Sequence, residues 1–542
     1  MSGLDRREFL ALGATASAAI GVGRSPRLTH STGIGLKQTG SARADGFSER
    51  SVAELADRMH KGENSSRQLT QYYLARITAM DKAGPAINAV IELNPDAPAI
   101  ADRMDAERKA GKVRGPLHGI PILIKDNIDS ADKMRTSAGS LALASSTPAR
   151  DAFVVEKLRA AGAVLLGKTN LSEWANYRST RSSSGWSGRG GQTKNPYVLD
   201  RNPCGSSAGT GAGIAADFAT VGIGTETDGS IICPSAICGL VGIKPTVGLW
   251  SRAGIIPISV SQDTAGPMAR SVADAAALLG ALTGADPRDA ATGDSAGRSH
   301  GDYTRFLDAA GLKGARIGVA RNLAGFNPDV DRVLDEAIAA LKSAGAVVVD
   351  PANLTTAGKF GDAETIVLDY EFKAGLNSYF SSLGAAAPIK SLAELMAWNE
   401  REKAREMPFF GQEIFIRAEQ SGPLTDRKYR EARAKCLKLA RTEGIDATMT
   451  RYRLDAIVSP SNQPSWTTDH LNGDHFSGGD TSFAAVAGYP SITVPMGFVR
   501  ELPVGLSFTG RAWTEGPLLK LAYAFEQATK RRRVPRFLPT VG

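Results

Sequence analysis

Strand-length apolar runs that alternate with helical stretches constrain this chain more than any other feature. Residues 120–124 form one such run, with Lys125 at its end. Residues 154–161 follow with helical spacing and 163–166 with another apolar run. Residues 209–219 read as a helix of small residues and 220–223 as a short strand. After Gly266 the alternation resumes: helix 271–282, strand 316–319, helix 330–344, strand 346–349, a mostly helical stretch over 360–450, and strands at 456–458 and 491–494. Such alternation predicts an α/β fold, a mixed β-sheet covered by helices on both faces. Upstream, Ser51 with Glu54 matches a capping box, and Val52, Leu55 and Met59 then share one helix face. A second helix is expected from Ser66, with Leu69, Tyr73 and Ile77 inward.

The chain of 542 residues is 42% hydrophobic and 22% charged, the balance of a globular protein able to bury a large core. Of the formal charge of +8, the first 44 residues carry +4, and a basic cluster spans 530–533. That leaves no basic face to expect on the body, so nucleic acid is not an expected partner. The four cysteines lack the paired C-x-x-C spacing of a zinc site and are too few for a disulfide framework, so they read as small buried thiols. The six histidines are scattered and offer no H-x-x-x-H pair to a metal.

Residues 5–10 read D-R-R-E-F-L, followed by an uncharged stretch to Val22 and by A-R-A at 42–44. A basic start, a modest apolar segment and small residues at the cut make a secretory leader. The arginine pair before Phe9-Leu10 is of the twin-arginine type. Residues 1–44 are therefore expected to be an export signal and 45–542 a single catalytic domain, periplasmic or secreted. The apolar segment is shorter than the roughly 20 residues a bilayer span needs, so stable membrane insertion is not expected.

Two motif matches fail on physical grounds. G-A-V-L-L-G-K-T at 162–169 fits the P-loop expression, but its central residues are the buried strand rather than a loop. G-S-S-A-G at 205–209 fits a nucleophile elbow centred on Ser207, but the preceding D-R-N-P-C is no hydrophobic strand. A third grouping is stronger. Lys125 ends an apolar strand, where desolvation favours the neutral amine and hence a base. P-C-G-S-S-A-G at 203–209 and T-E-T-D-G-S-I at 225–231 then supply serines among small residues. The second turn can present successive backbone N–H groups to an oxyanion. Residues 178–210, rich in Ser, Gly, Arg and Asn, form a loop long enough to suggest function.

H-G-I-P-I-L-I-K-D-N at 118–127, C-G-S-S-A-G at 204–209, G-T-E-T-D-G-S-I at 224–231 and G-L-V-G-I-K-P-T-V-G at 239–248 resemble the amidase-signature family. So do D-T-A-G-P-M-A-R-S-V-A-D at 263–274, G-Y-P-S-I-T-V-P-M-G at 488–497 and L-P-V-G-L at 502–506. The likeness spans residues 48–530. K-T-N-L-S-E-W-A-N at 168–176 and G-G-Q-T-K-N-P-Y at 190–197 bring it nearest to the bacterial peptide amidases, which remove C-terminal amides. The resemblance implies Ser230 as nucleophile, Ser206 as a bridging serine after a cis peptide from Gly205, and Lys125 as base. It implies an oxyanion hole from the backbone N–H groups of Thr227, Asp228, Gly229 and Ser230. It implies no metal and no organic cofactor, a small-molecule or peptide amide as substrate, and no particular oligomeric state. One position departs from the pattern: the family often has arginine two residues after the nucleophile, and this chain has Ile232. Rival readings are an ammonia-releasing subunit of an amidotransferase, which the leader disfavours, and an exported binding protein, which the intact lysine and serines disfavour.

Overall fold

The strands grow from segments whose β-branched and small residues suit a sheet buried on both faces. In the computed structural model, which describes residues 46–384, 387–479 and 481–542, they are, in chain order, β1 (Val90–Leu93), β2 (Pro121–Lys125), β3 (Val164–Thr169), β4 (Trp186–Ser187), β5 (Gly191–Gln192), β6 (Val221–Glu226), β7 (Val241–Lys244), β8 (Thr264–Ala269), β9 (Arg316–Val319), β10 (Val347–Val349), β11 (Ala456–Pro460), β12 (Ser491–Val499) and β13 (Leu502–Thr509). The expected leader, 1–44, lies outside the described residues. Residues 47–542 gather into one unit.

Eleven strands make one sheet in the order β1-β3-β2-β6-β8-β7-β12-β13-β11-β9-β10, and β4 with β5 forms a separate hairpin. The sheet is mixed. β3, β2 and β6 run parallel, as do β11, β9 and β10, while β6-β8-β7-β12-β13-β11 are paired antiparallel. Every residue of β2, β3, β6, β7, β8 and β11 is buried, so both faces of the central sheet are covered, as the alternation predicts.

The expected capping box forms. Ser51 Oγ accepts from Glu54 N at 3.2 Å and Glu54 Oε2 from Ser51 N at 2.9 Å. Val52, Leu55 and Met59 are buried beneath it. The second helix, Ser66–Met80, has a capping box of its own from Ser65 and Gln68 that the sequence reading did not name. β1, β7, β8 and β13 were also unanticipated. Segments such as T-A-G-P-M-A and L-P-V-G-L-S-F-T lack alternation and contain Gly and Pro, so their extended form is set by the neighbours that pair with them. The 178–210 loop is less irregular than expected, since it holds the β4–β5 hairpin and ends in the helix Ala208–Ala215.

The rejected motifs are structural. Val164–Thr169 is a buried strand, and Lys168 Nζ donates to Ile128 O and, at 3.0 Å, to Thr136 Oγ1. Ser207 Oγ donates to Thr225 O at 3.0 Å and accepts from Thr225 N at 3.2 Å, which engages it with strand β6.

Candidate active site

Ile122, Leu123 and Ile124 hold β2 between its parallel neighbours, so the lysine that ends the strand emerges inside the protein. Lys125 is 0% exposed. Its Nζ lies 2.7 Å from Ser206 Oγ, 2.8 Å from Thr225 Oγ1 and 3.2 Å from Thr225 O. Burial lowers its pKa to about 7, against the opposing pull of the carboxyls of Asp263 and Glu226. A neutral amine keeps two N–H donors and one lone pair. Thr225 O can only accept, so one N–H is committed there. With the other N–H directed to Thr225 Oγ1, the lone pair faces Ser206, whose hydroxyl then donates to nitrogen.

Ser206 follows a cis peptide from Gly205 and is 0% exposed. A Cβ on Gly205 would collide with Ser172 Oγ, so no side chain is tolerated there. Ser206 O accepts from Ser172 N at 3.0 Å, and Ser172 Oγ accepts from Gly185 N at 2.9 Å. Ser172 thus ties the backbone of this serine to the segment that follows β3.

Ser230 stands in the turn that leaves β6. Gly229 has φ +78°, a left-handed conformation that suits glycine, and a Cβ on it would press on Thr481 Oγ1 at 2.8 Å. Each residue of the turn is anchored. Thr227 Oγ1 donates to Asp263 Oδ1 at 2.5 Å, and the Asp228 carboxylate accepts from Thr481 Oγ1 and Ser482 Oγ, each at 2.5 Å. Glu226 Oε2 accepts from Ile231 N at 2.7 Å and from Ile232 N at 2.9 Å. Burial raises the pKa of Glu226 while Lys244 opposes it. Ser230 O accepts from Ser207 N at 3.1 Å, which joins the two serine segments directly. The side chains of Glu226, Thr227 and Asp228 are therefore engaged, yet the amides of Thr227, Asp228, Gly229 and Ser230 donate to no group among the described residues. Uncommitted backbone donors in a turn can hold an oxyanion. Ser230 is 8% exposed, whereas Lys125 and Ser206 are sealed, so of the two serine hydroxyls that of Ser230 belongs to the more accessible residue.

The cysteine reading needs correction. Cys204 and Cys233 form a disulfide, and Cys238 and Cys436 are the buried thiols. Spacing gave no warning because the bond is tertiary: it connects the segment before Ser206 to the helix after Ser230. Sequence reasoning also passed over Thr225, Glu226 and Asp263, although all three lie inside the motifs it quoted. His118, which heads the first motif, has a packing role, with its Nε2 2.9 Å from Met104 O. Among the described residues no group of three or more His, Cys, Asp or Glu stands together as metal ligands would.

A cavity of about 700 Å³ opens beside the turn, lined on the near side by Asn127, Thr225, Glu226, Thr227 and Asp263 and further out by Ile256, Pro257, Ile258 and Tyr379. Lys125, Ser206 and Ser230 do not line it. Ile232 is fully buried and also absent from its wall, so its bearing on a ligand is the lack of a cation rather than a contact.

A buried amine on a serine hydroxyl, beside a second serine in a turn of free amides, defines the class: an amide hydrolase. The chain belongs to the amidase family, whose profile matches residues 68–519. A peptide amidase whose structure was solved with the competitive inhibitor chymostatin is 54% identical to it, with a TM-score of 0.88, and covers 90% of this chain and 99% of its own. The native peptide amidase of Stenotrophomonas maltophilia is 53% identical at a TM-score of 0.87, over 91% and 99% of the two chains. A probable amidase of Arabidopsis thaliana is 41% identical over 504 residues, 90% of this chain and 92% of that one.

Proposed function

We propose that this amidase removes the C-terminal carboxamide of peptides as ammonia, through a relay from Ser230 to Ser206 to Lys125. Ser230 Oγ attacks the amide carbon. Its proton passes to Ser206, whose own proton passes to neutral Lys125. The carbonyl oxygen, now negative, accepts from the amides of Thr227, Asp228, Gly229 and Ser230. The C–N bond then breaks as the relay returns a proton to the leaving nitrogen. Water attacks the resulting ester, gives its proton to the same relay, and frees the carboxylic acid and Ser230. The observation that carries the relay is the 2.7 Å contact of a fully buried lysine with Ser206 Oγ.

The peptide amide is supported by the likeness to peptide amidases over nine-tenths of the chain. Charge supports it too. The anchored carboxyls of Asp228 and Asp263 flank the turn, and this chain has Ile232 at the position where the family often has arginine. The test is incubation of matched short peptides ending in an amide or a free acid, followed by mass spectrometry and an ammonia assay. Each amidated end should gain about one mass unit while internal peptide bonds survive. If peptide amides are untouched and malonamate-like acids or long-chain acyl amides turn over, the substrate reading is wrong.

Export by a twin-arginine-type leader over residues 1–44 belongs to the same proposal. The Cys204–Cys233 disulfide supports it, because such bonds persist mainly in oxidising compartments.

A further inference from the structure

A primary carboxamide differs from an ester in carrying N–H donors. Once its carbonyl oxygen is held by the amides of the nucleophile turn, those donors need an acceptor in a site that excludes water. Asn127 lies two residues beyond Lys125, is 2% exposed, and lines the cavity of about 700 Å³ beside Thr225 and Thr227. Its Nδ2 donates at 3.0 Å to Thr225 Oγ1, the hydroxyl that also contacts Lys125 Nζ at 2.8 Å. That bond sets the plane of the side-chain amide. Its Oδ1 is buried and has no hydrogen-bond partner among the described residues. A buried carbonyl without a donor is uncommon in folded proteins and calls for an explanation.

Glu226 Oε1 is the other unpartnered acceptor on this wall, but its carboxyl is engaged by the amides of Ile231 and Ile232 and so serves the helix that follows Ser230. Asn127 has no such duty on its oxygen. It is also neutral, as suits a neutral carboxamide: it adds an acceptor beside the lysine without adding charge.

We infer that Asn127 Oδ1 accepts a hydrogen bond from the N–H of the substrate carboxamide, which makes Asn127 the residue that selects amides over esters. The inference rests on the amide-hydrolysing reading of this site. As the C–N bond lengthens, the same acceptor holds the departing nitrogen while the relay protonates it, so the contact serves the amide and has no counterpart for an alcohol leaving group.

The experiment compares the amide and the methyl ester of one N-acylated dipeptide as substrates of the wild-type protein, Asn127→Leu and Asn127→Ser. Leu keeps the branched shape of Asn but is bulkier and has no acceptor; Ser is smaller and too short to reach the substrate. Each variant should lower the amide-to-ester ratio of kcat/KM by about tenfold or more, the size of one lost hydrogen bond. Equal losses on both substrates would mean that Asn127 acts only by holding Thr225 and Lys125, and would overturn the inference. So would an unchanged ratio. Should the bulkier Leu variant fail to fold, the Ser variant decides. Ester hydrolysis by Ser230→Ala at the wild-type rate would instead refute the underlying relay, so the two failures are told apart.

Discussion

Lowering the pH from about 8 to about 5 tests the relay at the group that receives the proton. Burial without a close counter-ion depresses the Lys125 pKa from its ordinary 10.5 to about 7. Only the neutral amine is a base, so the rate follows the neutral fraction. The folded-state pKa is lowered, hence the amine is free above about 7 and protonated below. With that value, roughly nine-tenths of the enzyme is competent one unit above it and roughly a hundredth two units below. kcat/KM for an amidated dipeptide should therefore fall about 100-fold between pH 8 and pH 5, with a plateau above pH 8. A lysine at its ordinary value would be neutral in only about one molecule in 3,000 at pH 7, and its profile would still climb tenfold per unit at pH 9. Asp263 opposes the shift of Lys125 and is itself raised to about 6 by desolvation, so its ionisation broadens the foot of the curve. The assay is the initial rate of ammonia release, with circular dichroism at each pH to confirm that the fold persists. A profile flat from pH 5 to 8, or one with its midpoint near 10, refutes the assignment of a buried neutral lysine as the base.

Ser230→Ala should cut turnover by on the order of 10⁴-fold or more with an unchanged circular dichroism spectrum, and should abolish labelling by a fluorophosphonate. Lys125→Ala and Ser206→Ala should each cost at least about 100-fold, and the double variant should lose much less than the product, because both act on one proton path; losses that multiply would speak against a shared relay. Cys204→Ser with Cys233→Ser opens a cross-link between residues 29 apart and should lower unfolding stability in urea by about 3–4 kcal/mol; an unchanged urea midpoint would show that the bond adds nothing to the fold. Arg6→Lys with Arg7→Lys preserves charge and should leave full-length, active protein in the cytoplasm, checked by fractionation and immunoblot; normal export would remove the twin-arginine reading.

The sequence by itself determined the parts that local chemistry specifies. A run of Ile and Leu ending in lysine can be little other than a buried strand that delivers an amine, and β2 is that strand. Glycines before Ser206 and Ser230 mark places where side chains do not fit, and both are tightly packed. Helices with capping residues and a regular apolar face were legible for the same reason, since their hydrogen bonds close within the segment. Tertiary structure decided everything that depends on partners distant in the chain. β8 and β13 are extended because β6, β7, β11 and β12 pair with them, not because of their own composition. The Cys204–Cys233 bond exists because the two serine segments converge, as the Ser207–Ser230 backbone bond also shows. The lowered pKa of Lys125, the uncommitted amides of the turn and the unpartnered oxygen of Asn127 likewise arise from desolvation and from hydrogen bonds made or left unmade across the sheet. Neither can be read from a residue's neighbours in sequence, because both depend on what the fold places around it.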